Sequence, residues 1–340
     1  MTDVLYIGSK TGTSLKRYIA LQNFVENHSI IDPKDALSFP FITSRWSYKT
    51  GALFLEKIVN NFIVQKYPNN WKPDLVIVDN GEMIGSSIIS KLKSLGSRVV
   101  NFNLDNPFSE RDGYRFRLLR NSIDQYDVIF TPRKSSVESA IDLGSKKAIQ
   151  IWQAADDGLT DVSNHPSQNE KASYLATVSF TGTWMNGRDD FIVELMNRGI
   201  DVKINGSRWE KSPRFNKIKD NIRSGYLDQN GFYAAIAASD ISIGLLSDGN
   251  LDQHTTRSME IPSLRSLLVA KRTHDHMLLY NDKSEAFFWD DAEECAQIIK
   301  YLTLNPENLL LHRELGYKRA LKNNNFNTPL MRYVVEKSLE

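Results

Sequence analysis

One cysteine, Cys295, serves 340 residues, so no internal disulfide and no multi-cysteine metal site can form, and a reducing, cytoplasmic setting is expected. An excess of either charge is also missing. The 42 basic and 41 acidic residues leave a formal net charge of +1, too little for a global field that draws nucleic acid or an anionic membrane. No apolar run reaches the roughly 18 residues of a membrane-spanning helix. The opening MTDVLYIGSK lacks the basic and apolar regions of an export signal. Neither G-x-G-x-x-G nor G-x-x-x-x-G-K-[ST] occurs, which removes the usual support for dinucleotide and ATP binding.

What is present is an alternation. Short β-branched runs at 4–7, 75–78, 99–102, 128–130 and 149–152, with a weaker one at 29–31, are apolar on both faces. Segments 15–25 and 84–95 lie between them and repeat apolar residues every three or four positions, as core-facing helices do. This is the pattern of parallel strands buried in a βαβ sheet. The polar stretch 156–171, DDGLTDVSNHPSQNEK, reads as a linker. A second series of strands follows at 176–180, 202–204, 241–246, 267–270 and 286–289. Helices are predicted at 290–304, 306–322 and 328–339, the second N-capped by Asn305 with Pro306 in its first turn. The expected fold is therefore α/β, with two tandem Rossmann-like domains whose parallel sheets face a central cleft. The first domain is set at 1–155, the linker at 156–172 and the second domain at 173–325, with a C-terminal helix at 326–340 packing back on the first domain. Two such domains suit the length. Open α/β sheets bind ligands beyond the carboxyl ends of their strands, so the loops there are the places to look.

In the first half, the loop Gly8-Ser-Lys-Thr-Gly-Thr-Ser14 joins a strand to a helix and offers backbone N–H groups to an anion, with Lys10 as a further contact. Asp79, Glu82 and Asp105 follow strand ends, where a carboxylate can take the proton of an acceptor hydroxyl or merely cap a turn. Four arginines and two aromatics between 111 and 120 suit an anionic polymer or a solvated helix face.

In the second half, Gly182 and Gly206 stand at strand ends where a diphosphate needs close backbone approach, and Arg188 supplies a cationic fork. Trp209 serves a nucleobase stack or, more simply, packing. The stretch SDGNLDQHTTRSME, ending at Glu260, precedes a helix whose N-terminus Pro262 places near Ser258. Such an end attracts phosphate, while Glu260 can accept hydrogen bonds from ribose hydroxyls or simply complement the helix dipole.

These segments resemble the CgeB-like, spore-maturation-type glycosyltransferases of the GT-B class. The resemblance is carried by DLVIVDNGEMIG, VVNFNLDNPF, VSFTGTWMNGRDDF and, most specifically, HTTRSMEIPSLRSLLVAKRTHDHMLLYNDKSEAFFW. It implies transfer of a sugar from a nucleoside-diphosphate sugar to a hydroxyl on a glycan, protein, lipid-linked or other acceptor, with retention of configuration and with neither a cofactor nor an essential metal. By resemblance, Glu260 binds the ribose and Asp252, eight positions earlier, lies near the sugar, one methylene shorter than the usual glutamate. Thr255, Thr256, Arg257 and Arg188 face the diphosphate, and Asp105 keeps the first acid of a DDP-like motif. The competing expectations are a nucleotide-sugar epimerase or hydrolase on the same scaffold, an inactive GT-B binding module, and a nucleic-acid or acidic-glycan binder.

Overall fold

The computed structural model describes residues 2–38 and 40–340, with side chains described for all of these except 40–44 and 248. The chain divides into two compact units. The first comprises Met1–Gln153 together with Asp248–Leu251 and Phe326–Glu340, and the second comprises Ala154–Ser247 with Asp252–Asn325.

The first unit is built on six parallel strands: β1 (Val4–Ile7), β2 (His28–Ile31), β3 (Leu75–Asp79), β4 (Arg98–Phe102), β5 (Val128–Thr131) and β6 (Ala148–Gln150), in the order β2-β1-β3-β4-β5-β6. The four inner strands β1, β3, β4 and β5 are buried on both faces and mostly apolar, which is why the sequence shows runs rather than alternation. One face carries Leu5, Ile7, Val76 and Val78 against the helices Glu56–Lys66 and Ser86–Ser94. The other carries Val4, Tyr6, Leu75 and Ile77 against the helix Gly12–Leu21 and against Met331, Val334 and Val335 of the final helix Asn327–Leu339.

The second unit repeats the plan with β7 (Ala176–Thr181), β8 (Val202–Asn205), β9 (Ile222–Ser224), β10 (Ser239–Gly244), β11 (Leu267–Lys271) and β12 (Phe287–Trp289), ordered β12-β11-β10-β7-β8-β9 and parallel throughout. Its core gathers Val178, Ile204, Ile243 and Val269 with Trp209 and with Cys295 of the helix Ala292–Leu304. Burial raises the Cys295 thiol well above its ordinary range, so it acts as a small apolar side chain.

Local departures from the sequence expectation have physical causes. The polar stretch read as a linker forms three short helical turns, Asp157–Thr160, Val162–Asn164 and Gln168–Lys171. Each is capped by an acid or serine before it: Asp156, Asp161 and Ser167. Leu245 and Leu246 lie beyond β10, which begins two residues earlier than its apolar run suggests. Asn305 occupies the cap position of Pro306–Asn323 but does not cap, because its amide donates to the Tyr301 carbonyl at 2.7 Å instead.

Candidate functional site

Strand order reverses in the second sheet between β7 and β10, since the chain runs outward through β8 and β9 and resumes on the other side. In open α/β sheets the loops leaving two such strands diverge, and ligands bind beyond the strands' carboxyl ends. Arg188, the first residue of the helix Arg188–Asn197, joins these two loops. It donates to the Thr183 carbonyl at 2.8 Å after β7, and to the Leu245 and Leu246 carbonyls, each at 3.4 Å, after β10. Its guanidinium lies 5.4 Å from the Phe180 ring centroid.

Gly182 and Gly206 sit at the ends of β7 and β8 against each other. Gly206 has φ +135°, and a Cβ there would strike the Gly182 carbonyl, so its lack of a side chain serves loop against loop. Trp209 is packing: it is buried, donates from Nε1 to the Gly182 carbonyl at 3.0 Å and meets Phe180 edge-on at 5.7 Å.

After β10 the chain leads into the helix Thr256–Ser263, which starts two residues before the position that Pro262 suggests. A proline in the last turn removes the N–H that would bond Ser258, and the structure replaces that donor: the Tyr280 hydroxyl gives its hydrogen to the Ser258 carbonyl at 2.7 Å. Thr255 caps the helix, accepting from Arg257 N at 3.2 Å, while Ser258 Oγ accepts from Thr255 N at 3.2 Å.

One turn inside this helix Glu260 is 7% exposed and ion-paired with Arg257. The Arg257 guanidinium rests on the Phe232 ring, 3.9 Å from its centroid. Next to Phe232 on the helix Gln229–Ala237, the Tyr233 hydroxyl accepts from Gln229 at 2.7 Å, and the same Gln229 amide donates to Asp156 at 3.0 Å. Burial, reinforced by the charges of Glu260 and Asp156, holds the Tyr233 phenol well above its ordinary range, so it stays a hydrogen-bond donor at any working pH. The two helices thus bring together a buried carboxylate, a planar cation fixed on an aromatic and a neutral phenol. Diols and anions are the ligands such a set holds. Thr255, Thr256, Arg257 and Glu260 are brought together by the helix Thr256–Ser263, and Asp252, 9% exposed, lies just before it.

Sequence reasoning missed the support under that helix. His254, buried, bonds Asp275 at 2.8 Å through Nδ1. Burial works against the Asp275 charge, but the hydrogen bonds and charge of His254 and His274 together outweigh it and hold the carboxyl below the usual range. His276 Nδ1 meets the Lys271 carbonyl at 2.7 Å, which accepts only, so Nδ1 carries the hydrogen and Nε2 accepts from Ser258 Oγ at 2.8 Å. The signal was two histidines flanking an acid in THDH after an apolar strand, at the start of the helix His274–Leu279.

The first unit carries a cavity of about 420 Å³ at its own point of strand reversal, between β1 and β3. Asp79, Glu82 and Asp105, the three carboxylates singled out by sequence, all line it, together with the Gly8–Ser14 loop. Asp79 accepts from Tyr6 at 2.5 Å and from Arg17 at 2.7 Å at the cavity floor. A tyrosine within a buried strand has to find such a partner for its hydroxyl, and an arginine on the inner face of the helix Gly12–Leu21 was the second sign. Glu82 and Asp105 share Arg115 at 2.7 and 3.0 Å, and Asp105 also takes Arg111 at 3.4 Å. Lys10 is engaged by Asp35 at 2.6 Å. Each arginine of the 111–120 segment has partners within this unit. Arg117 donates to the Gly51 carbonyl, and Arg120 donates to those of Pro107 and Gly113, so the segment is tied into the fold rather than held out for a polymer.

Among the described residues no group of three or more His, Cys, Asp or Glu side chains is arranged to hold a metal, and no helix is long and apolar enough to cross a membrane.

Two such α/β units with parallel six-stranded sheets are the GT-B fold, and solved structures share it. The chain is similar to Anabaena Alr3699/HepE in complex with UDP-glucose, with a TM-score of 0.69 and 11% identity over 99% of each chain. It is similar to sucrose-phosphate synthase (tll1590) from Thermosynechococcus elongatus, with a TM-score of 0.70 and 11% identity over 99% of this chain and 98% of that one. An α,α-trehalose-phosphate synthase (UDP-forming) from Burkholderia xenovorans, in complex with glucose-6-phosphate, follows at 0.63 and 10% identity over 99% and 100%. No curated protein matches the sequence. Residues 188–333, which contain Arg188, Asp252 and Glu260, match a family model described as glycosyl transferase-like. The chain thus combines the GT-B fold with a glycosyl transferase-like segment over residues 188–333.

Proposed function

We propose that the protein transfers a sugar from a nucleoside diphosphate sugar, with a uridine diphosphate sugar foremost, to an acceptor hydroxyl with retention, and that it stands in the CgeB-like branch of these enzymes. The uridine donor is suggested by the HepE structures, which hold UDP and UDP-glucose. Glu260 takes the ribose hydroxyls, while Arg257, Thr255, Thr256 and Arg188 face the diphosphate, with Gly182 and Gly206 shaping the loops beside it. Asp252 lies toward the sugar. The second unit is the donor domain. The first unit, with Asp105 at its strand-reversal cavity, holds the acceptor.

In the reaction the bond between the anomeric carbon and the diphosphate oxygen breaks, and the departing diphosphate keeps the electron pair. The acceptor oxygen bonds to the anomeric carbon and passes its proton to the departing diphosphate. Negative charge grows on the leaving group, so cations and helix N–H groups aimed there do the main work, and no metal is called for. The observation that carries this reading is the buried Glu260 beside an Arg257 guanidinium held flat on Phe232.

Calorimetry of the full chain with UDP, GDP and UDP-glucose tests it. A hydrogen bond to a charged group contributes about 1.5–3 kcal/mol, so Glu260→Ala should weaken nucleotide binding by about ten- to a hundredfold while the far-UV spectrum is unchanged. Equal affinity in a folded Glu260→Ala protein would remove the assignment. Donor incubated alone should stay nearly intact, whereas its conversion would mark an epimerase or hydrolase.

A further inference from the structure

Between the helices Pro40–Thr50 and Glu56–Lys66 the backbone makes an unusual knob. Gly51, Ala52 and Phe54 have φ of +64°, +58° and +66°, three left-handed residues within four. Glycine takes this conformation freely, but an aromatic residue pays steric strain for it. In that backbone conformation Phe54 stands outward at 81% exposure. Trp46 braces the knob, donating from Nε1 to the Leu53 carbonyl at 3.0 Å while its ring stays exposed. Ile58, one turn further on, is exposed, and so is Tyr114, whose carbonyl lies where a Cβ of Gly51 would fall. The exposed charged side chains between 45 and 66 are Arg45, Lys49, Lys57 and Lys66, all basic.

We infer that this knob docks the protein on an anionic lipid surface, with Phe54 and Leu53 entering the headgroup and acyl boundary and the flanking basic side chains meeting the phosphates. Tryptophan and tyrosine suit that depth because one end of each is apolar and the other polar. A few basic residues beside an apolar tip bind anionic bilayers through combined burial and charge. Charge complementarity favours this occupant over a second copy of the chain, since pairing this face on itself would set Arg45, Lys49 and Lys57 against their own like charges. With no helix fit to span a bilayer among the described residues, the contact is interfacial. The knob belongs to the first unit, and the inference stands apart from the proposed reaction.

The test is co-sedimentation of the full chain with sucrose-loaded vesicles of phosphatidylcholine alone, or of equal parts phosphatidylcholine and phosphatidylglycerol. Binding is expected to the anionic vesicles only and to fall as salt rises. Phe54→Asn removes the aromatic ring yet suits the left-handed backbone, so the variant should melt no lower than the parent and still bind nucleotide, while its vesicle affinity drops about tenfold. Lys49→Glu with Lys57→Glu should do the same. The inference is overturned if the parent stays in the supernatant with anionic vesicles or if Phe54→Asn sediments like the parent. A concentration-dependent dimer abolished by Phe54→Asn, with no vesicle binding, also overturns it and assigns the knob to self-association.

Discussion

His276 shows what burial does to one side chain. Removal from water, with the neighbouring His254 adding to it, lowers the imidazole from its ordinary 6.5 to about 4, against the opposing pull of the Lys271 carbonyl and Asp275. It is therefore neutral in the folded protein at pH 5–7, and its Nε2 can accept from Ser258, which in turn accepts from the capping residue Thr255. An unfolded chain takes up this proton near pH 6.5, whereas the folded chain resists until about pH 4. Stability is complete above the first value and is lost progressively as pH falls toward the second. The span corresponds to roughly 3 kcal/mol. Denaturant titrations at pH 7 and pH 4.5 should show His276→Gln losing less stability on acidification than the parent by roughly 2 kcal/mol. Parallel losses would mean that His276 does not keep a proton out. At this scale the sequence singled out residues that follow a strand end, such as Glu260 and Arg257, because position after a strand locates them. It did not disclose the partners that only folding brings near: Phe232 under Arg257, Arg17 and Tyr6 on Asp79, or the histidines under Ser258.

Among elements, the buried strands were legible because both faces are apolar, and their ends fell within a few residues of the runs that announce them. β9 was not, since Ile222-Arg-Ser is a three-residue edge strand with one apolar residue and no period to detect. The start of Thr256–Ser263 was misjudged for a different reason. The rule that proline belongs near a helix start assumes that the carbonyl it orphans has no other donor, and here Tyr280, 22 residues away, provides one. That compensation predicts a cycle. Tyr280→Phe leaves the buried Ser258 carbonyl unsatisfied and should cost about 1–3 kcal/mol in urea unfolding. Adding Pro262→Ala restores a helical N–H four residues after Ser258, so the double variant should recover most of the loss. If Pro262→Ala destabilises the parent and Tyr280→Phe equally, the two groups do not serve the same carbonyl.

For the whole molecule, chain order and spatial order disagree at the C-terminus. After the second unit closes at Asn325, the chain returns to the first, and Met331, Val334 and Val335 fill the face of the sheet that also holds Val4, Tyr6, Leu75 and Ile77. The first 153 residues thus carry a complete sheet but an incomplete core. Burying a large apolar side chain contributes roughly 1.5–3 kcal/mol, so withdrawing three exposes an amount comparable to the 5–15 kcal/mol that holds a whole domain. A chain ending at Asn325 should therefore lose the first unit selectively. Hydrogen exchange read by mass spectrometry is the direct measure, because protection falls where local opening becomes easy. Amides of β1, β3 and β4 should exchange orders of magnitude faster in the truncated protein. Those of β7, β10 and β11 should be unchanged, since the core of the second unit contains nothing from beyond Asn325. Uniform loss of protection would mean that the two units unfold together, and uniform retention would mean that the last helix only covers a core already closed by the helix Gly12–Leu21.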